Sequence, residues 1–371
     1  MKRILFITQN LNRTGSEMVL WYLLNNLDPE QYAIYVFCIK KGDLYDQLPE
    51  HVQKSLPYKV SGKLGKKIGR ALLKLVKANP LTHQLKHINE SFKPEFWFVN
   101  TLVIPEAHRI AALLNVKVVT YFHESLNAFS LIKSAEMDTI INYSSVCIGC
   151  SEEVCRHLTH MGHPNVQLQP SFIDYATINV DKDRINALKQ QLGITASDFV
   201  WVISGGATYM KGLDYILPIL EGFKDEQVKI LWLGYVPDDG LLYYVKEVVE
   251  RKYKGKLFFL GPQAADYYNY MAIGNGFLLL SREESFSLVM LEAAYLGIPI
   301  VAFNTGIAST FVKKGMGRVI YSRNIEDLIL EMKWLHDHPG QDLQELKNAA
   351  LAFSLPKQVV NFEKLIGNLF P

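Results

Sequence analysis

Short apolar runs rich in β-branched and aromatic residues alternate along this chain with longer segments whose apolar positions recur at helical spacing. The pattern predicts strands at 4–8, 33–39, 96–100, 117–122 and 146–150, and a second set at 200–204, 230–234, 257–260, 276–280 and 299–303. Between them, "EMVLWYLLNNL", "EAHRIAALLN" and "LLYYVKEVVERKY" read as amphipathic helices. Continuous apolar strands separated by helices imply parallel sheets covered on both faces. The pattern restarts near residue 180, where the more polar "SFIDYATINVDKDRINALKQQLGITASDF" carries one helix and leads into the buried run "VWVISGG". The expectation is an α/β protein of two doubly wound, Rossmann-like domains, 1–178 and 179–355. A terminal amphipathic helix, 356–371, is expected to pack back towards the first domain. Ligands of such folds bind at the C-terminal ends of the strands, so the two domains are expected to face each other across a cleft at those edges.

The composition changes this picture little. With 371 residues, 49% hydrophobic, 20% charged and a formal charge of +2, the chain fits two globular domains and excludes a disordered or nucleic-acid-binding protein on its totals. One asymmetry stands out between Glu50 and Glu90, where no acidic residue occurs but eight lysines and Arg70 do. Within it, residues 59–77 form a basic amphipathic pattern, which suits either the surface of an anionic membrane or a core-packed helix with a solvated basic face. No apolar run approaches the ~18 residues of a membrane span, and the first residues turn polar at Gln9. A cytoplasmic protein is expected, working at the inner face of the membrane if the basic stretch binds lipid. Four cysteines make no disulfide framework. Cys147, Cys150 and Cys155, near His157, His160 and His163, read more simply as a strand running into a helix than as a zinc site.

Chemistry concentrates at the predicted strand ends. In "TQNLNRTGSEMVL", Gly15 and Ser16 open a helix whose free N–H groups suit an anion, although Ser16-Glu17 is also an ordinary helix start. In "VWVISGGATYMKG", Gly205 and Gly206 permit close backbone approach and Lys211 brings a charge to the next helix; the bland alternative is a glycine-eased turn with a solvated lysine. Neither loop is a nucleotide P-loop or a G-x-G-x-x-G fingerprint. Glu284 and Glu292 lie eight residues apart in "EESFSLVMLEAAYLG", with a helix expected from Phe286 onward. That separation is too great for one shared proton and suits two grips on an extended polar ligand, since a carboxylate accepts hydroxyl hydrogens. Alternatively Glu284 caps the helix and Glu292 is buried against a lysine. His123 ends a strand, where it would donate to a hydroxyl, carry a proton near neutrality, or be structural. Asp181 and Asp183 begin a polar helix, where acidic residues are favoured, so no metal site is assigned to them.

These pieces, in this order and over essentially the whole chain, resemble retaining glycosyltransferase family 4, which has the two-Rossmann GT-B fold. Glu284-Ser-Phe-Ser-Leu-Val-Met-Leu-Glu292 and "AAYLGIPIVA" are similar to its Glu-x7-Glu signature and following strand; "RTGSE", "MKG", "FHE" and "CIGCSEEV" match its other landmarks. The resemblance implies transfer of a sugar from a nucleotide-diphosphate sugar, UDP- or GDP-linked, to a glycan or lipid-linked glycan acceptor, with retention and without metal or other cofactor. By it, His123, Lys211 and Glu284 are catalytic. Lys211 holds the donor diphosphate, Gly15 and Ser16 offer it backbone donors, Gly205 and Gly206 line it, Glu284 with the backbone of Ser285, Phe286, Ser287 and Leu288 holds the sugar, and Glu292 grips the ribose. Two departures stand out. Gly206 occupies the place of a frequent family arginine, leaving Lys211, helix N-termini, Arg13 or Arg282 to meet the diphosphate. Ile307 and Thr310 replace a glycine and an acidic residue. These departures keep open a non-catalytic partner of an active glycosyltransferase; a nucleotide-sugar epimerase and a sugar phosphorylase are further alternatives.

Overall fold

In a computed structural model, residues 1–58, 80–338 and 343–371 are described. The basic stretch 59–77 lies outside the described residues. The chain divides into two units, Met1–Ser171 with Gln358–Pro371, and Phe172–Lys357.

The first unit is built on a seven-stranded sheet in the order β3-β2-β1-β4-β5-β6-β7. Its strands are β1 (Lys2–Thr8), β2 (Tyr32–Cys38), β3 (Gln53–Ser55), β4 (Phe96–Asn100), β5 (Val118–Phe122), β6 (Val146–Gly149) and β7 (Val166–Leu168). Every pairing is parallel. β4, β5 and β6 are buried at every position, as strands covered on both faces must be. One core face gathers Leu5, Ile7, Phe37, Trp97 and Val99 against Leu85, Ile88 and Ile110 of the helices Pro80–Phe92 and Pro105–Leu113. The last helix, Leu355–Leu369, belongs largely to this unit. Phe362 meets Phe98 edge-on at 5.6 Å, and Phe370 stacks on Phe96 at 4.0 Å.

The second unit has a six-stranded parallel sheet in the order β10-β9-β8-β11-β12-β13. The strands are β8 (Phe199–Ser204), β9 (Val228–Leu233), β10 (Leu257–Gly261), β11 (Gly276–Leu279), β12 (Ile300–Phe303) and β13 (Gly317–Ile320). Trp201, Trp232, Phe223, Leu220 and Leu278 anchor its core. The helix Gly240–Lys252 that follows β9 is started by Asp239, whose Oδ1 accepts the Leu242 N–H at 2.9 Å. Asp239→Ala removes that cap, and thermal or urea unfolding is expected to show a loss of about 1 kcal/mol.

All ten strands expected from the sequence form. Three more, β3, β7 and β13, are edge strands of three or four residues, too short to show a period of their own. Asp181 caps the helix Lys182–Gln191, its Oδ1 accepting the N–H groups of Asp183 and Arg184 at 2.9 and 3.1 Å. Cys147 and Cys150 are buried, in and just after the strand that leads into the helix Glu152–His160, and none of the four cysteines is in a disulfide.

Candidate functional site

Both sheets reverse their strand order once, and the expected site residues collect at these reversals. In the second unit the reversal lies between β8 and β11. β8 ends at Ser204, after which Gly205 takes φ +138°, a backbone state that a side chain disfavours. The Lys211 stem packs over Gly205 at ordinary contact distance, so that a Cβ there would lie 3.6 Å from Lys211 Cδ, and it is the backbone conformation rather than space that favours glycine. Lys211 is not at the start of an α-helix, as the sequence suggested. It ends a 3-10 turn, Tyr209–Lys211, and a left-handed Gly212 separates it from the next.

β11 ends one residue before Leu280, and the following loop brings Ser281 and Glu284 to the same place. Lys211 Nζ donates to Glu284 Oε1, and Ser281 Oγ donates to the same oxygen at 2.6 Å. The Glu284 side chain is 13% exposed and that of Lys211 34%, so the pair is sheltered but open to a ligand. Arg282, between them in sequence, is committed elsewhere. Its guanidinium forks onto Asp214 at 2.9 and 2.6 Å, donates to Tyr209 O and lies over the Tyr209 ring at 3.6 Å. The sequence offered it as a cation for a diphosphate, and here it is paired with Asp214.

The helix carrying Glu292 runs from Leu288 to Tyr295, so Phe286 and Ser287 precede it, contrary to the expected start. Ser287 sits at φ +82°, rare for a residue with a Cβ, and its buried Oγ has no hydrogen-bond partner among the described residues. Its N-cap residue, Ser287, makes no side-chain cap, and the first N–H groups of a helix have no partner within the helix itself. Phe286 is buried edge-on against Phe353 at 5.4 Å. Glu292 accepts from Tyr267 Oη at 2.8 Å and from Tyr268 Oη at 3.1 Å, and burial pushes its carboxyl up to about 7. The bland reading of the two glutamates is thus corrected on both counts: Glu284 pairs with the lysine, and Glu292 pairs with two tyrosines. Neither tyrosine nor Ser281 was singled out in the sequence, because nothing in their local pattern distinguishes them from surface or core residues.

At Gly206 an added Cβ would meet Thr208 Cγ2 at 3.6 Å and Tyr235 O at 3.8 Å, ordinary contact distances. Trp232 is buried in the core, donating Nε1–H to Gly205 O at 2.9 Å. Thr310 Oγ1 donates to Ile307 O at 3.1 Å within its own short turn.

In the first unit the reversal lies between β1 and β4. Gly15 and Ser16 open the helix Gly15–Asn26 after β1. Its N-cap, Thr14, makes no side-chain cap, and Ser16 Oγ donates to Glu17 Oε2 at 3.4 Å. Arg13 is exposed in the preceding loop. His123 follows β5, its Nε2 3.1 Å from Asn100 Oδ1 and its ring 3.9 Å from that of Tyr121. Burial pushes His123 down to about 3, so it is neutral at pH 7. The proton-carrier reading near neutrality gives way to that of a neutral hydrogen-bonding group. Its neighbour Glu124, pushed up to about 7 by burial, accepts the N–H groups of Leu102 at 3.2 Å and His123 at 2.9 Å. Among the described residues no cluster of three or more His, Cys, Asp or Glu could hold a metal, and no helix is long and apolar enough to cross a membrane.

Residues 184–353 match the family model described as glycosyl transferases group 1. Among solved structures, Anabaena HepE in complex with UDP superposes with a TM-score of 0.80 at 20% identity, over 99% of this chain and 100% of that one. Sucrose-phosphate synthase from Thermosynechococcus elongatus gives 0.77 at 14%, over 100% and 99%. Two curated proteins are similar in sequence. They are N-acetyl-alpha-D-glucosaminyl L-malate synthase of Bacillus anthracis, 25% identical over 54% of this chain, and D-inositol 3-phosphate glycosyltransferase of Rhodococcus jostii, 23% over 70%. The matches span 53% and 58% of those two proteins' lengths. Two Rossmann-like units and likeness to solved structures over almost the whole chain give the chain a GT-B fold, and residues 184–353, which carry Lys211, Glu284 and Glu292, match the glycosyl transferases group 1 model.

Proposed function

We propose that this chain transfers a sugar from a nucleotide-diphosphate sugar, UDP- or GDP-linked, to a glycan or lipid-linked glycan acceptor, retaining the anomeric configuration. The observation that carries the reading is the meeting of Lys211 and Glu284. Seventy-three positions apart in sequence, they pair at the strand-order reversal of the second sheet, beside a glycine that brings backbone close. Lys211 neutralises the departing diphosphate, together with the uncapped N-terminus of the helix Leu288–Tyr295. Glu284, released from Lys211 as the phosphates take its place, accepts hydroxyl hydrogens of the donor sugar, and the backbone of Ser285 to Leu288 lines that sugar. Glu292 takes the ribose. From the first unit, the family resemblance assigns the amides of Gly15 and Ser16 to phosphate and neutral His123 to the sugar. Attack by the acceptor on the face the diphosphate leaves requires no protein nucleophile, and the reaction is read as needing no resident metal. Anabaena HepE, similar in fold, was solved with UDP and with UDP-glucose, which supports a uridine donor first.

A second reading, a non-catalytic partner of an active glycosyltransferase, is favoured by the missing arginine at Gly206. Thermal unfolding with UDP, GDP, ADP and CMP in turn separates these. A nucleotide at 100 times its dissociation constant stabilises the folded chain by ~2.7 kcal/mol. A shift with one nucleotide, together with sugar transfer from its conjugate to an added glycan, supports the enzyme. A shift without any turnover moves the partner reading to first place, and no shift at all sinks the donor assignment.

A further inference from the structure

Glu292 is held by an array that the family motif does not contain. The short helix Tyr267–Met271 presents two adjacent phenols with rings 5.0 Å apart at 71°, and each hydroxyl reaches a different carboxylate oxygen, Tyr267 at Oε2 and Tyr268 at Oε1. Ser204 Oγ, at the end of β8, stands 2.7 Å from Tyr267 Oη.

The hydrogen positions follow from donor counting. An ionised carboxylate only accepts, so both phenols donate to it. Tyr267 has then used its one hydrogen, so the Ser204 hydroxyl donates to Tyr267, and the chain runs Ser204 to Tyr267 to Glu292. Each carboxylate oxygen has about two acceptor positions, and one phenol on each leaves one position on each. A carboxylate held in this way meets two hydroxyls at once, one per oxygen, which is the demand of a vicinal diol. A freely rotating carboxylate would satisfy one hydroxyl as readily as two. Burial favours the protonated acid, with one oxygen turned into a donor; the two phenols oppose that without cancelling it, the carboxyl sits at about 7, and both oxygens accept once the pH is above that value.

We infer that Tyr267, Tyr268 and Ser204 are positioning residues that hold Glu292 as a two-point acceptor for the ribose cis-diol, so that the chain discriminates ribonucleotides from their 2′-deoxy forms. This rests on the assignment of the nucleotide to the second unit. It adds a source of sugar-ring specificity in three residues outside the Glu-x7-Glu motif.

Isothermal titration of UDP against 2′-deoxy-UDP, and of GDP against 2′-deoxy-GDP, into the full chain tests it, with Tyr267→Phe and Tyr268→Phe alongside. The wild type is expected to prefer the ribo form by about tenfold, the worth of one hydrogen bond to a charged acceptor. In Tyr267→Phe the ribo affinity falls by about that factor while the deoxy affinity stays within about threefold, so the preference collapses. Tyr268→Phe, which removes the longer bond, narrows it less. Equal loss of ribo and deoxy binding in both variants would mean that the tyrosines only support the fold, and would overturn the inference. Equal binding of ribo and deoxy forms by the wild type also overturns it while leaving the donor reading intact. Absence of any nucleotide binding by the wild type defeats both.

Discussion

Lys211→Ala is expected to lower sugar transfer, measured as kcat/KM with the nucleotide sugar that binds, by about 10²–10³, the usual cost of deleting one preorganised donor to developing charge. Two consequences follow from one deletion. The diphosphate loses a cation whose stem packs over Gly205 at the end of β8. Glu284, whose side chain is 13% exposed, loses its counter-charge and keeps Ser281 as its hydrogen-bond donor. The second effect is visible without substrate, because a sheltered carboxylate stripped of its partner destabilises the fold. Glu284→Gln in the Lys211→Ala background removes that unpaired charge, so the double variant should recover stability without recovering transfer. A double-mutant cycle on both readouts therefore separates structural from catalytic coupling. Transfer by Lys211→Ala within about threefold of wild type would remove the lysine from the mechanism.

The second large effect is a gain. Gly206→Arg should tighten binding of the donor's nucleoside diphosphate by roughly 10- to 100-fold, since hydrogen bonds to charged groups are worth about 1.5–3 kcal/mol. Three observations make this specific. The backbone at Gly206 needs no glycine conformation, and an added Cβ meets its neighbours at 3.6 Å or more. Arg282, the nearby alternative, is already forked onto Asp214. Lys211 contributes a point charge, whereas an arginine offers a planar fork matched to phosphate oxygens. Gly206→Ala is the control for backbone stiffening, which by itself is expected to add about 0.4–1 kcal/mol of stability and no affinity. Titration calorimetry at two salt concentrations reads the result: the gain should shrink as salt rises. Equal affinity in Gly206→Arg and Gly206→Ala would show that the diphosphate does not pass this position.

Several features of the site were beyond the reach of local pattern. The helix bearing Glu292 starts at Leu288 because Ser287 adopts a left-handed backbone, and a Ser-Phe-Ser run gives no warning of that. Tyr267 and Tyr268 lie on a five-residue helix, and they matter to the site only because that helix delivers two hydroxyls to one carboxylate. The sequence leaves His123 as a hydroxyl donor, a proton carrier near neutrality or a structural residue, and only the enclosure beside Tyr121 and Asn100, which pushes it down to about 3, tells against the carrier.

What the amino-acid order determined by itself was the alternation of buried strand and amphipathic helix, and hence the class of fold. Periods of 2 and 3.6 residues, and the length of an apolar run, are local properties written directly into neighbouring residues. The positions of Gly205 and Glu284 just after strands, with Glu292 further along the next helix, followed from the same reading. Only the tertiary structure decided which of them meet. β8 and β11 are neighbours in the sheet although β9 and β10 intervene in the chain, and that order brings Lys211 to Glu284 and leaves Arg282 with Asp214. Strand order depends on the packing of whole faces against one another, a sum over many distant contacts, and no window of sequence contains that sum. The three short edge strands are the same case in miniature, since β3, β7 and β13 are strands because a neighbour offers them a ladder.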